Sequence, residues 1–211
     1  MKTLNNYFDK IVCINLDRRF DRWEKSQKQF KNFNLNVERF SAIDGKVQVQ
    51  KPGLKPGELG ALLSHLKVIK NAKKDNLKNV LILEDDVEFH QNINELFFQY
   101  ESQIPNWDFL YFGGNHSMNN HYMDPSKSPI KIFDNVYKIR EAYSLHCYGV
   151  NHTLYDKILN FYDKIERPID VLYSEIQPKV QSYILIPPLA WQRPDYSDIM
   201  EENVDYSFLK K

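Results

Sequence analysis

Glu84, Asp85 and Asp86 stand one after another directly behind the apolar run Val80-Leu-Ile-Leu83. Carboxylates serve as acids, as bases and as ligands for hard cations. Three together at the end of a buried strand repel one another and lose hydration, so a cation must answer them. Mg²⁺ and Mn²⁺ take carboxylate oxygens and bridge to substrate phosphates. Three chemistries share the pattern. One is a transferase whose metal steadies a departing diphosphate. A second is the acidic pocket of a phosphorylated receiver module. The third is a solvated loop neutralised by Lys or Arg.

Two other stretches carry candidate groups. Residues 15–22 read Asn-Leu-Asp-Arg-Arg-Phe-Asp-Arg. Arg18, Arg19 and Arg22 fall on or near one helical turn, and arginine pairs bidentately with phosphate. A helix N-terminus adds a favourable field for an anion. Asp17, Asp21 and Glu24 are competing partners that would make the same arginines an ordinary solvated face. In Gly57-Glu-Leu-Gly-Ala-Leu-Leu-Ser-His65, Ser64 and His65 interrupt an apolar helix. A histidine there is either a satisfied core residue or a ligand. Gly60 costs a helix interior about 1 kcal/mol relative to Ala, which implies close backbone approach.

The elements that must position these groups follow from periodicity. Residues 7–16 read as a first strand and residues 17–33 as a helix with Phe20, Trp23, Phe30 and Phe33 on its apolar face. Residues 37–43 read as a second strand and 46–56 as a loop. Residues 58–74 form a strong helix with an acidic first turn and a basic last turn. The 80–83 strand closes a second strand–helix–strand unit. Such units build a mostly parallel sheet, whose ligands bind at the carboxyl ends of the strands. A helix over 93–104, a strand over 107–112, strands at 136–139 and 142–150, a helix over 151–165, a short helix at 169–176 and a strand at 180–186 complete the pattern. Residues 115–130 are polar and aperiodic, a lid or a disordered insertion. The tail from residue 191 is expected to wrap the surface.

The whole chain narrows the class. Its 211 residues suit one domain, and 28 basic against 28 acidic residues argue against a nucleic-acid binder. Cys13 and Cys147 fit no metal motif and read as buried thiols of a reducing compartment. No apolar run is long enough to span a membrane, and residues 1–7 lack a signal-peptide core, so a cytoplasmic location is expected. No basic amphipathic helix argues for peripheral membrane association, which stays an open alternative.

Taken in order, the pieces resemble glycosyltransferase family 25, the family of lipopolysaccharide-biosynthesis and collagen galactosyltransferases. The matching stretches are Ile14-Asn-Leu-Asp-Arg-Arg-Phe-Asp-Arg22, Gly57 to His65, Leu81-Ile-Leu-Glu-Asp-Asp-Val87 and Trp107-Asp-Phe-Leu-Tyr-Phe-Gly113. Ala142-Tyr-Ser-Leu-His-Cys-Tyr-Gly149, Pro168-Ile-Asp170, Gln192 and Ser197-Asp-Ile199 extend it over nearly the whole chain. The resemblance implies an α/β GT-A fold, with a Rossmann-like, mostly parallel central sheet flanked by helices. It implies a single domain over 1–211, with a nucleotide-sugar half (1–114) and an acceptor half (115–211).

It further implies a UDP-hexose donor, Mn²⁺ or Mg²⁺, and inversion at the anomeric carbon. By the same resemblance Asp86 contacts the metal, and Glu84 or Asp85 contacts the ribose or a metal-bound water. Asn15, Arg18 and Arg22 match the nucleotide-binding segment, and Ser64 and His65 the helix beside the nucleotide. An inverting transfer needs a base near the acceptor hydroxyl. Asp170 is the candidate and Glu175 the second, with an N-cap as the plainer reading of Asp170. Asp198 either completes the metal shell or caps the last turn. The acceptor is expected to be a glycan or glycoprotein. A catalytically inactive binding protein of the same fold is the alternative.

Overall fold

The computed structural model describes residues 2–163 and 166–210. The N-terminal half alternates strand and helix: β1 (Lys10–Asn15), α1 (Phe20–Asn32), β2 (Val37–Ser41), α2 (Pro56–Lys74) and β3 (Asn79–Glu84). Then come β4 (Val87–Phe89), α3 (Ile93–Tyr100), β5 (Phe109–Tyr111), β6 (Ile130–Lys131), β7 (Val136–Lys138) and β8 (Cys147–Asn151). The last part holds α4 (Tyr155–Leu159), α5 (Ile169–Ile176), β9 (Ser182–Leu185), β10 (Ala190–Gln192), β11 (Asp195–Ser197) and β12 (Glu202–Val204).

Eight strands make one sheet in the order β2-β1-β3-β8-β5-β9-β7-β6. β2, β1, β3, β5, β9 and β6 run one way, and only β8 and β7 run against them. The mostly parallel, helix-flanked α/β sheet expected from the sequence is therefore present. Strand order reverses beside β1: the chain steps outward to β2, then returns to place β3 on the other side. A crevice opens at such a switch point, outside the carboxyl ends of β1 and β3.

Alternation along the strands divides the core. Val12, Ile14, Val80 and Ile82 face α2 and α5, where Leu62, Leu66 and Ile69 pack on them. Ile11, Cys13, Leu81 and Leu83 face the other way, toward Phe30 of α1 and Phe97 of α3. Helix α2 starts with Pro56 at its first turn, and the Glu58 carboxylate accepts the Lys55 backbone N–H at 2.8 Å. Its Gly60 is required by a close crossing. A Cβ there would lie 2.6 Å from the Ile43 carbonyl oxygen.

Several local expectations are corrected. The buried positions of α1 are Arg22, Ser26 and Phe30, while Phe20 is 62% exposed. The helix starts at Phe20, so Arg18 and Arg19 belong to the turn before it. The helix expected over 151–165 is α4 with short 3₁₀ turns at His152–Leu154 and Asn160–Asp163, and Ile165 lies outside the described residues. Segment 115–130 is a folded loop: Asn119 donates to the Gly114 carbonyl at 2.8 Å, and Ser117 and Ser128 hydroxyls meet at 2.7 Å. The tail is no surface wrap. β10 pairs with β4, and β11 with β12 forms a hairpin. Among the described residues no helix is long and apolar enough to cross a membrane. Cys13 and Cys147 are buried and free.

Candidate active site

A cleft of about 450 Å³ lies at the carboxyl ends of β1 and β3. The acidic triplet forms its floor: Glu84 ends β3, and Asp85 and Asp86 make the turn that follows. Glu84 continues the face of Val80 and Ile82, toward α2. There the His65 Nε2 lies 3.3 Å from its Oε1. Asp85 turns to the opposite face, toward α1. Arg22 donates to Asp85 Oδ1 at 2.8 Å, and Asn15 donates to Oδ2 at 2.6 Å. Asn15 reaches it because β1 and β3 run parallel with Ile14 beside Glu84, so their next residues are also neighbours.

Asp86 follows the end of β3 and is left over. Its Oδ1 is buried with no hydrogen-bond partner among the described residues. Its Oδ2 has only long contacts, 3.5 Å from the Gln192 amide and 3.6 Å from Arg22. Burial, then the like charges of Glu84 and Asp85, push the Asp86 carboxyl up to about 7, against the pull of Arg22 and Arg193. Burial also raises Asp85, with Arg22 and Asn15 opposing. Glu84 goes the other way. Burial alone would raise it, but the opposing influences, the hydrogen bond to His65 first, outweigh that and hold it below its ordinary value.

The arginines are largely spoken for. Arg22 is a buried strut that also donates to the Tyr196 carbonyl at 2.6 Å. Arg18 is the more open one, pairing with Asp44 and, at 3.0 Å, with Asp198. Asp198 also takes Arg19 at 2.5 Å. Ser64 borders the cleft but has both roles of its hydroxyl engaged: it accepts from Ile43 N–H and donates to the Gly60 carbonyl. Both bonds anchor the start of α2 against Ile43. Asn15 is buried beneath the floor and does not line the cleft.

Asp170 lines the cleft from the far side, in the first turn of α5. It is not the N-cap, which is Pro168, although its Oδ1 accepts the Val171 N–H at 2.9 Å. Burial, chiefly, raises its carboxyl above the ordinary range. Glu175 does not line the cleft; it pairs with Arg167 on the exposed part of α5. Residues 115–130 do not line it either.

The sequence reading missed Arg193, whose side chain donates to the Asp85 carbonyl at 2.6 Å and whose N–H donates to the Asp86 carbonyl at 2.9 Å. It also missed Tyr148, Asp195 and Tyr206. The only local signal was the Gln192-Arg-Pro-Asp195 cluster, which has no periodicity to mark it.

A metal must be judged against these partners. Among the described residues no group of three or more His, Cys, Asp or Glu side chains could hold an ion alone. The donor set instead fits a hard cation that takes one or two carboxylates and completes its shell with phosphate oxygens. Asp86, with its unpartnered buried oxygen, is the residue that fits; Asp198 lies along the same cleft, but Arg18 and Arg19 occupy its two oxygens.

Sequence comparisons with known proteins converge on one family. The sequence model described as glycosyltransferase family 25 (LPS biosynthesis protein) matches residues 8–190. A glycosyltransferase 25 family member of Drosophila pseudoobscura pseudoobscura is 34% identical over 128 residues, which are 50% of this chain and 20% of the relative. Procollagen galactosyltransferase 1 of Danio rerio is 30% identical over 129 residues, 50% of this chain and 21% of the relative. Procollagen galactosyltransferase 2 of Homo sapiens is 28% identical over 158 residues, 64% of this chain and 24% of the relative. The chain thus spans only 20–24% of the length of these relatives. A solved glycosyltransferase involved in glycosylation of the major capsid of PBCV-1 superposes with a TM-score of 0.47 at 10% identity, over 81% of this chain and 76% of that one.

Proposed function

Since the chain belongs to glycosyltransferase family 25, we propose that it moves a hexose, galactose or glucose, from UDP to a hydroxyl of a glycan or glycosylated protein. Transfer proceeds with inversion and with Mn²⁺ or Mg²⁺ in the cleft. Galactose stands first because two of the relatives are named galactosyltransferases. The observation that supports this reading most is Asp86, a buried carboxylate with a free oxygen in a cleft that Arg18 and Asp170 also line.

Each group has a task in that reading. Asp86 would hold the cation, which supplies positive charge against the departing diphosphate, and Asp198 would join it by releasing Arg18 or Arg19. Arg18 adds a guanidinium on the same side. Glu84 is the carboxylate offered to the ribose. Asp170 accepts the proton of the acceptor hydroxyl, and its raised basicity suits the task. The acceptor oxygen then bonds to the anomeric carbon from the face opposite the diphosphate. The carbon–oxygen bond to the diphosphate breaks, and UDP leaves with that electron pair. The two buried free thiols suit a reducing compartment and hence a cytoplasmic enzyme.

The test is calorimetric titration with UDP, UDP-galactose and UDP-glucose, each with and without Mn²⁺. Metal-dependent binding that Asp86→Ala removes is the expected result. Absence of binding by all three to a folded chain would sink the donor assignment and leave an inactive binding protein as the better reading.

A further inference from the structure

A buried pair stands behind Glu84 that no step of the proposed transfer uses. His65 and Tyr148 are 1% and 0% exposed. The His65 Nδ1 meets the Tyr148 hydroxyl at 2.7 Å, and Nε2 meets Glu84 at 3.3 Å. Tyr148 is delivered by β8, directly across from Ile82 of β3, so its side chain shares the face on which Glu84 emerges two residues later. His65 is delivered by α2, and α2 cannot slide. Gly60 and Gly45 touch backbone to backbone, and Ser64 ties the helix to Ile43 at 2.8 Å. A core needs none of this polarity, since an apolar pair of the same size would pack without the cost of burying a ring nitrogen and a phenol. Glu84 and His65 both border the cleft, Tyr148 does not, and Glu84 is the open member, with 25% of its side chain exposed against 1% for His65.

The proton arrangement follows from the partners. An ionised carboxylate only accepts, so Nε2 must carry a hydrogen. The Tyr148 hydroxyl can then donate to Nδ1, which fixes that tautomer and turns the ring toward Glu84. We infer that His65 and Tyr148 are positioning residues that hold the Glu84 carboxylate in one orientation, and that this orientation sets the preference for a ribose-bearing donor. The inference rests on the UDP-donor reading above. One Glu84 oxygen is held by His65, which leaves the other to accept a ribose hydroxyl. Without the pair, the side chain regains rotamer freedom and the carboxylate finds water instead.

Titrations of the full chain with UDP, 2′-deoxy-UDP and 3′-deoxy-UDP, all with Mn²⁺, test this. Wild type should prefer UDP over at least one deoxy analogue by about tenfold, the worth of one hydrogen bond to a charged group. Glu84→Gln and Tyr148→Phe should both bring that ratio toward one, while affinity for the deoxy analogue changes less than about twofold. A merely structural role would weaken all three ligands together and leave the ratio untouched, and that result overturns the inference. So does a wild type that binds UDP but discriminates against neither analogue. Failure of UDP itself to bind would instead count against the donor reading. Nitrogen-15 shifts of His65 in the wild type give a second check that needs no variant. A hydrogen on Nε2 is expected, and an Nδ1–H, Nε2-bare ring would defeat the inference even if Tyr148→Phe does not fold.

Discussion

Glu84 and Asp85 are adjacent in sequence, yet they end up on opposite faces of the sheet in different chemical company. Asp85 meets a guanidinium, a side-chain amide and the α1 face, and both its oxygens are satisfied. Glu84 meets one imidazole and opens to the cleft. The contrast separates a carboxylate that holds the fold together from one kept available to a ligand. Asp86 lies with Asp85 in the turn beyond the strand and keeps an unpartnered oxygen. An acidic triplet at a strand end is therefore three different groups, sorted by the partners each meets where β3 gives way to the turn.

The largest expected effect lies across the cleft from that contrast. Asp170→Asn should lower kcat by about 10²–10⁴-fold in a transfer assay while leaving UDP affinity near wild type. Weaker UDP binding with kcat preserved would return Asp170 to a helix-start role. Next comes the α1 face. Arg22→Met removes the charge buried against Asp85 and should cost about 3–5 kcal/mol in urea unfolding. A smaller cost would mean that Asp85 simply takes up a proton once Arg22 is gone.

The conservative pair compares the two faces directly. Asp85→Asn should lose about 1–2 kcal/mol, because an amide cannot serve both Arg22 and Asn15 as acceptor. Glu84→Gln should change stability by less and ligand preference by more. Equal losses would erase the distinction drawn here. The smallest effect is a pH slope in metal-free protein. The Asp86 carboxyl, ordinarily 3.8, titrates near 7 in the fold, so the folded chain holds a proton that the unfolded chain has already released. Its contribution to stability is present below about pH 4 and is lost as pH rises toward 7. The wild type minus Asp86→Asn difference in unfolding free energy, measured in chelator at pH 4 and pH 7.5, should shrink accordingly.

Much of this was legible in the chain. The apolar run Val80–Leu83, the helical spacing of α2 and the parallel β1–β3 arrangement all follow from local pattern, and they place the triplet at a ligand-binding edge. The split between Glu84 and Asp85 was less so, because Asp85 lies in the turn beyond β3 and meets partners remote in sequence. Arg22 was harder. A helix position facing the core is normally apolar, and only partners remote in sequence, Asp85 and the Tyr196 carbonyl, explain an arginine there. The β4–β10 ladder and the β11–β12 hairpin were not legible, because they are three-residue strands whose stabilising contacts are remote. Trp191 donates to Glu88 at 2.9 Å across 103 positions, and no window along the sequence contains both.

The hairpin has one more consequence. Its turn presses on the start of α2 so closely that a Cβ on Gly57 would lie 2.8 Å from the Ile199 Cα. The cleft is thereby walled by residues from Ile14 to Tyr206, nearly the full span of the chain. Any occupant must touch segments that are far apart in the polypeptide, and it binds only when both are docked. At one hundred times its dissociation constant such an occupant would add about 2.7 kcal/mol to the folded state. Amide hydrogens of residues 195–206 should then exchange more slowly than in the empty protein, which makes the end of the chain a reporter for events at its beginning.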